Sequence, residues 1–80
     1  MNNPHQRWLD SLGLKPIPQR IMEELLASAG PDFPLARVTL DTIAIQCGIS
    51  RRTVLRHLKL LKRYVVKCNR GLYRVKGRHA

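Results

Sequence analysis

Apolar residues recur at helical spacing in three stretches of the chain. From Pro18 to Ala29 they fall at Ile21, Met22, Leu25, Leu26 and Ala29, with Glu23, Glu24 and Ser28 turned the other way. This spacing predicts a helix with one buried stripe, ended by Gly30-Pro31. From Leu40 to Cys47 the apolar positions are Ile43, Ala44 and Cys47. Thr39 stands before them as an N-cap, and Gly48 follows where a positive φ ends a helix without a Cβ penalty. Ile49 returns to the core. Ser50 then caps a third helix, predicted from Arg51 to about Arg63. In that helix Val54, Leu58, Leu61 and then Val65 make one narrow stripe, while Arg52, Arg56, Lys59 and Arg63 lie opposite. A shorter helix, about Pro4 to Leu12 and stopped by Gly13, carries Trp8, Leu9 and Leu12.

Beyond residue 63 the period changes. Val65 to Cys68 and Leu72 to Val75 are β-type runs around Asn69-Arg70-Gly71, which predicts a hairpin with Arg70 and Gly71 at its tip. Strict alternation pairs Cys68 with Tyr73 and Val66 with Val75 on one face, and Lys67 with Arg74 on the other. A shift by one residue would set Val66 against Arg74. Leu14 to Pro18 is a proline-stiffened connection. The segment 30–36 is a loop with Phe33 and Leu35 as anchors, and Arg37-Val38 forms a short strand leading to Thr39. The expected fold is mainly α with a small β-hairpin: a three-helix core, the hairpin and a short extra N-terminal helix. Residues 1–16 form an N-terminal extension, 17–76 the domain and 77–80 a basic tail.

Charge changes the picture. The 80 residues carry 15 Lys and Arg against 5 Asp and Glu, a net charge of +10. All five acids precede Ser50, and residues 51–80 hold eleven of the cations. An acid-free third of this kind repels itself unless a polyanion is its partner. A membrane surface fits poorly, because the basic helix lacks a broad aromatic face and no apolar run approaches the roughly 20 residues of a span. The N-terminus has no signal-peptide pattern, so a cytoplasmic, nucleoid-associated protein is expected. Cys47 and Cys68 sit where the pattern asks for buried apolar residues and are read as reduced thiols.

Ala44, Gly48, Ile49, Ser50, Thr53, Val54 and Leu58 stand at the spacing of a helix-turn-helix. The run G-I-S-R-R-T-V-L-R-H-L resembles the recognition helix of winged helix-turn-helix transcriptional regulators, and the resemblance extends over residues 17–76. It implies a winged-helix fold, with the strand at Arg37-Val38 pairing with the wing hairpin. It also implies that the residues after the serine cap, and one a turn later, reach base edges; here these are Arg51, Arg52 and Arg56. Two positions depart from the family: Arg52 stands where an acidic residue or Gln is frequent, and His57 where an aliphatic one is common. Arginine suits the role, since its fork matches guanine O6 and N7. The amides at the helix starts near Thr39 and Ser50, with Thr53, Lys59, Arg63 and Lys67, are phosphate candidates. Arg70 and Arg74 are the wing candidates for a narrow minor groove. Leu55 flanks the basic face, in place for a thymine methyl, and Leu60 points away from the main stripe.

Other chemistry finds little support. Cys47, His57, Cys68 and His79 are separated by nine, ten and ten residues, with no paired-ligand spacing, so no metal site or cofactor is expected. No serine or cysteine has a convergent base and acid, and there is no glycine-rich phosphate loop; an enzyme is not expected. The expected partner is double-stranded DNA and the expected role a small transcriptional regulator. An origin, partition or excision factor of a plasmid or phage, a winged-helix RNA-binding module and a domain meeting an acidic protein remain alternatives. Trp8, Leu9 and Leu12 either cover one end of the core or form a homodimer surface.

Overall fold

A computed structural model describes residues 4–30 and 34–76. Four helices, α1 (Pro4–Ser11), α2 (Pro16–Ala29), α3 (Leu40–Cys47) and α4 (Arg51–Leu60), combine with three short strands, β1 (Leu35–Arg37), β2 (Val65–Asn69) and β3 (Leu72–Val75). The strands form one antiparallel sheet in the order β1-β3-β2. Phe33, His79 and the basic tail at 77–80 lie outside the described residues.

The helical elements follow their caps and stripes. In α2 the buried residues are Ile21, Met22, Leu25, Leu26 and Ala29. Each of the four larger side chains, Ile21, Met22, Leu25 and Leu26, is worth about 1.5–3 kcal/mol on leaving water. The α3–α4 pair is set by two matched caps. Thr39 Oγ1 accepts from Thr42 N at 3.2 Å, and Ser50 Oγ accepts from Thr53 N at 3.1 Å. Between them Gly48 adopts φ 68°, and its N–H closes the end of α3 on the carbonyls of Ala44 and Ile45. Arg20 ties α2 to this unit: it pairs with Glu24 at 2.9 Å and its guanidinium donates to the carbonyl of Gln46 at 3.4 Å.

The N-terminal helix covers the core. Leu9 is fully buried, and Trp8 and Leu12 pack against the core cluster half-buried. The ring of Trp8 meets Tyr64 edge-on, with centroids 6.1 Å apart, and Gln19 Nε2 donates to Asp10 Oδ1 at 2.9 Å. Leu9 is thus a core residue of its own chain, with Trp8 and Leu12 partly buried against that core.

Two boundaries shift: α2 begins at Pro16, inside the expected connection, and β1 takes Leu35–Arg37 in place of Arg37-Val38, with Leu35 exposed and not an anchor. Three further expectations, which bear on the basic surface, are corrected. First, α4 ends at Leu60 rather than near Arg63. Leu61 N donates to the carbonyls of His57 and Leu58, and Tyr64 N and Val65 N donate to the carbonyl of Leu61, so residues 61–64 form a turn. Arg63 thus leaves the helix face that it was expected to share with Arg52, Arg56 and Lys59. Second, the hairpin takes the other register: Val65↔Val75, Val66↔Arg74, Lys67↔Tyr73 and Asn69↔Leu72, with an irregularity between Lys67 and Asn69. The turn delivers Val65 to the core beside Leu61, which fixes Val65, Tyr73 and Val75 as the inward set. The odd residue is absorbed at Cys68 as a bulge. Strict alternation allowed no bulge, and so faced Lys67 against Arg74. Third, Cys68 is exposed by that bulge and is not a core residue; both cysteines are free thiols. Cys47 is half-buried, and burial pushes its thiol up, with Arg20 opposing and Glu24 and Glu23 adding to the rise.

Candidate nucleic-acid interface

The positively charged end of the chain is built from α4, the hairpin and the start of α3. On α4 the buried side is Val54, with Leu58 half-buried behind it and Leu61 buried just past the helix end. Its opposite side presents Arg52, Arg56 and Lys59, all exposed. His57 lies at the margin, with Nδ1 buried and lacking a hydrogen-bond partner among the described residues. Thr53 is half-buried and its hydroxyl sits 2.9 Å from Ser50 Oγ, so both polar side chains of the first turn are engaged in the cap.

Four of the residues singled out in the sequence come together in one open cleft of about 440 Å³. Thr39, Arg51, Lys67 and Arg70 line it, together with Leu40, Asp41, Gly71 and Tyr73. Three elements meet there. The hairpin tip is held beside the start of α3 by Val38 N donating to the Gly71 carbonyl at 3.0 Å. Gly71 has φ 71°, a left-handed conformation that glycine adopts without strain, and Asn69 Oδ1 accepts from Arg70 N at 2.8 Å to close the turn. Burial pushes the Tyr73 phenol above its ordinary range, so the floor of the cleft stays neutral. Three cations against one carboxylate, at the N-terminal end of a helix, make a favourable place for an anion.

The one carboxylate is itself informative. Asp41 Oδ1 lies 3.0 Å from Arg51 Nε, with both side chains well exposed. Nothing in residue type or helical period announced this pair; it arises because Asp41 and Arg51 both sit in the first turns of helices joined by a tight turn. An exposed pair of this kind adds at most about 1 kcal/mol to stability. Its geometric effect is to occupy Nε and leave the two terminal amino groups of Arg51 as a free fork.

The remaining residues are dispersed. Arg52, Arg56 and Lys59 lie along α4 outside the cleft, and Arg63 is exposed in the turn after α4. Arg74 is exposed on the outer face of the sheet, between Leu35 of β1 and Val66 of β2. The sequence reading missed a second depression, an apolar groove of about 380 Å³ between α4 and β2, into which Lys67 also reaches. The outward turn of Val66, hidden by the wrong hairpin register, is what creates its rim.

Among the described residues no three His, Cys, Asp or Glu side chains gather as metal ligands, and no helix is long and apolar enough to cross a membrane. Comparison with protein-family models, with curated proteins and with solved structures returned no match.

Proposed function

We propose that the chain is a winged helix-turn-helix domain that binds double-stranded DNA with sequence preference, acting as a small transcriptional regulator. The observation that carries this reading is the exposed row of Arg52, Arg56 and Lys59 on α4, backed by a buried stripe and continued by the cations of the cleft at the hairpin tip. In this reading α4 enters the major groove by its N-terminal half. Arg51, Arg52 and Arg56 address base edges, while Thr53, Lys59, Arg63, Lys67 and the amides near Thr39 and Ser50 hold phosphates. The hairpin is the wing, and Arg70 at its tip approaches the adjacent minor groove, where a narrow A·T-rich stretch attracts an inserted arginine.

Selection of bound sites from a random duplex library tests the proposal. The expected result is one enriched motif containing guanine steps flanked by A·T-rich sequence. A pool that emerges without enrichment, or structured RNA that outcompetes the selected duplex, overturns it.

Asp41 gives an expectation of unusual sign. Its carboxylate repels phosphate but orients the Arg51 fork. Asp41→Ala is therefore expected to bind random duplex several-fold more tightly, since a negative charge leaves the interface. The ratio of selected to random affinity should fall at the same time. Anisotropy titrations with the two duplexes check it, and an unchanged ratio would show that Arg51 reads nothing through this pair.

A further inference from the structure

The groove between α4 and β2 differs in chemistry from the rest of the basic surface. Leu58, Val65 and Tyr73 form its floor, and Leu55 and Val66 stand on its rim at 42% and 39% exposure. Lys59, Lys62 and Lys67 surround these apolar residues. None of the three lysines has a carboxylate partner among the described residues. A duplex supplies phosphates for the lysines but little for the floor, because thymine methyls are the main apolar groups on its base edges. One such methyl meets Leu55 at most and leaves Val66 and the floor uncovered.

We propose that this groove receives an acidic, amphipathic segment of a partner protein, whose apolar side packs on Leu55 and Val66 and whose carboxylates meet Lys59, Lys62 and Lys67. Charge complementarity selects this occupant. A second copy of the chain is a poor one: its net charge is +10, the apolar stripe of α2 is buried, and Glu24 and Asp41 are engaged with Arg20 and Arg51. The size also fits. Leu55 to Lys59 spans about 6 Å of the α4 axis and the turn that follows carries the groove on to Lys62, room for about two turns of a docked helix with anchors at i, i+3 or i+4, and i+7.

The groove shares Lys59 and Lys67 with the interface assigned above to phosphates. The segment and DNA therefore compete, and the groove is a point at which a partner releases the protein from its site. Only this last step rests on the DNA-binding reading; occupancy of the groove does not.

The test uses the full chain and a fluorescein-labelled synthetic helical peptide of roughly four turns, with leucine at i, i+3 or i+4, and i+7 and glutamate on the other positions. A control peptide has the same glutamates with each leucine replaced by glutamine. The leucine peptide is expected to bind roughly tenfold or more tightly than the control, the order set by burying two or three leucines. Leu55→Gln and Val66→Thr should each shrink that difference. Lys62→Glu, at a position to which no DNA contact is assigned, should weaken the leucine peptide several-fold. Equal binding of the two peptides overturns the proposal, because net charge alone then accounts for it. So does a difference that survives in variants whose thermal melts match the parent. Both rim positions are partly exposed, and if one variant fails to fold the other and Lys62→Glu decide. Adding unlabelled duplex should displace the peptide. Peptide and duplex bound together overturn the competition, whereas a chain that binds the peptide and no duplex contradicts the DNA-binding reading and leaves the groove intact.

Discussion

Val54→Asp is expected to abolish the folded state. Val54 is fully buried on the inward side of α4, in the same cluster as Ile21, Leu25 and Ile43. The described residues around it offer no buried polar or charged side chain to receive a carboxylate. The substitution gives up about 1.5–3 kcal/mol of apolar burial and adds several kcal/mol for an unpaired buried charge or for the protonation that relieves it. A domain of this length has about 4–12 kcal/mol of stability in all, so the two losses together consume most or all of it. Far-UV circular dichroism should show no cooperative melt at neutral pH. Leu58 is only half-buried, so Leu58→Asp is expected to lose less. A Val54→Asp chain that melts with the parent would mean that the helical phase assigned to α4, and with it the outward direction of its arginines, is wrong.

The second large effect concerns reading as opposed to holding. Arg52→Ala and Arg56→Ala are each expected to cost about 1–3 kcal/mol on the selected site and to relax preference at one or two base pairs. Lys59→Ala is expected to weaken every duplex alike and to lower the salt slope by about one unit. All three positions are exposed, so stability should stay within about 0.5 kcal/mol of the parent. Binding can thus be compared without a folding correction. Uniform loss across all sequences in all three variants would show that α4 holds DNA without reading it.

Much of the helical half of the molecule was legible in the sequence because its caps and stripes have local chemical causes. Thr39 and Ser50 cap the helices they were expected to cap, Gly48 takes the left-handed turn between them, and the apolar stripe of α2 is buried position for position. The errors lie where local and tertiary signals compete. Apolar period alone carries α4 through Leu61 to Val65, but the same two residues also serve a turn that swings the chain into β2. Alternation gave a clean register for the hairpin, yet it counts residues without allowing for a bulge, and the bulge at Cys68 reverses the faces of Val66 and Lys67.

The candidate interface divides the same way. The outward arginines of α4 follow from helical phase. The Asp41–Arg51 pair and the convergence of Arg51, Lys67 and Arg70 at one cleft depend on how two helices and a hairpin tip approach each other. Residue spacing within a single element carries no record of that approach. The apolar groove was hidden for the further reason that strict alternation puts its rim residue Val66 on the face of Tyr73 and Val75.

Duplex affinity measured as a function of salt is the most direct test of the polyanion partner. With about six to eight of the acid-free third's cations on phosphate, log K is expected to fall against log[salt] with a slope near −5 to −7. A slope shallower than about −2, on the selected site and on random duplex alike, would contradict a DNA-binding role for this basic surface.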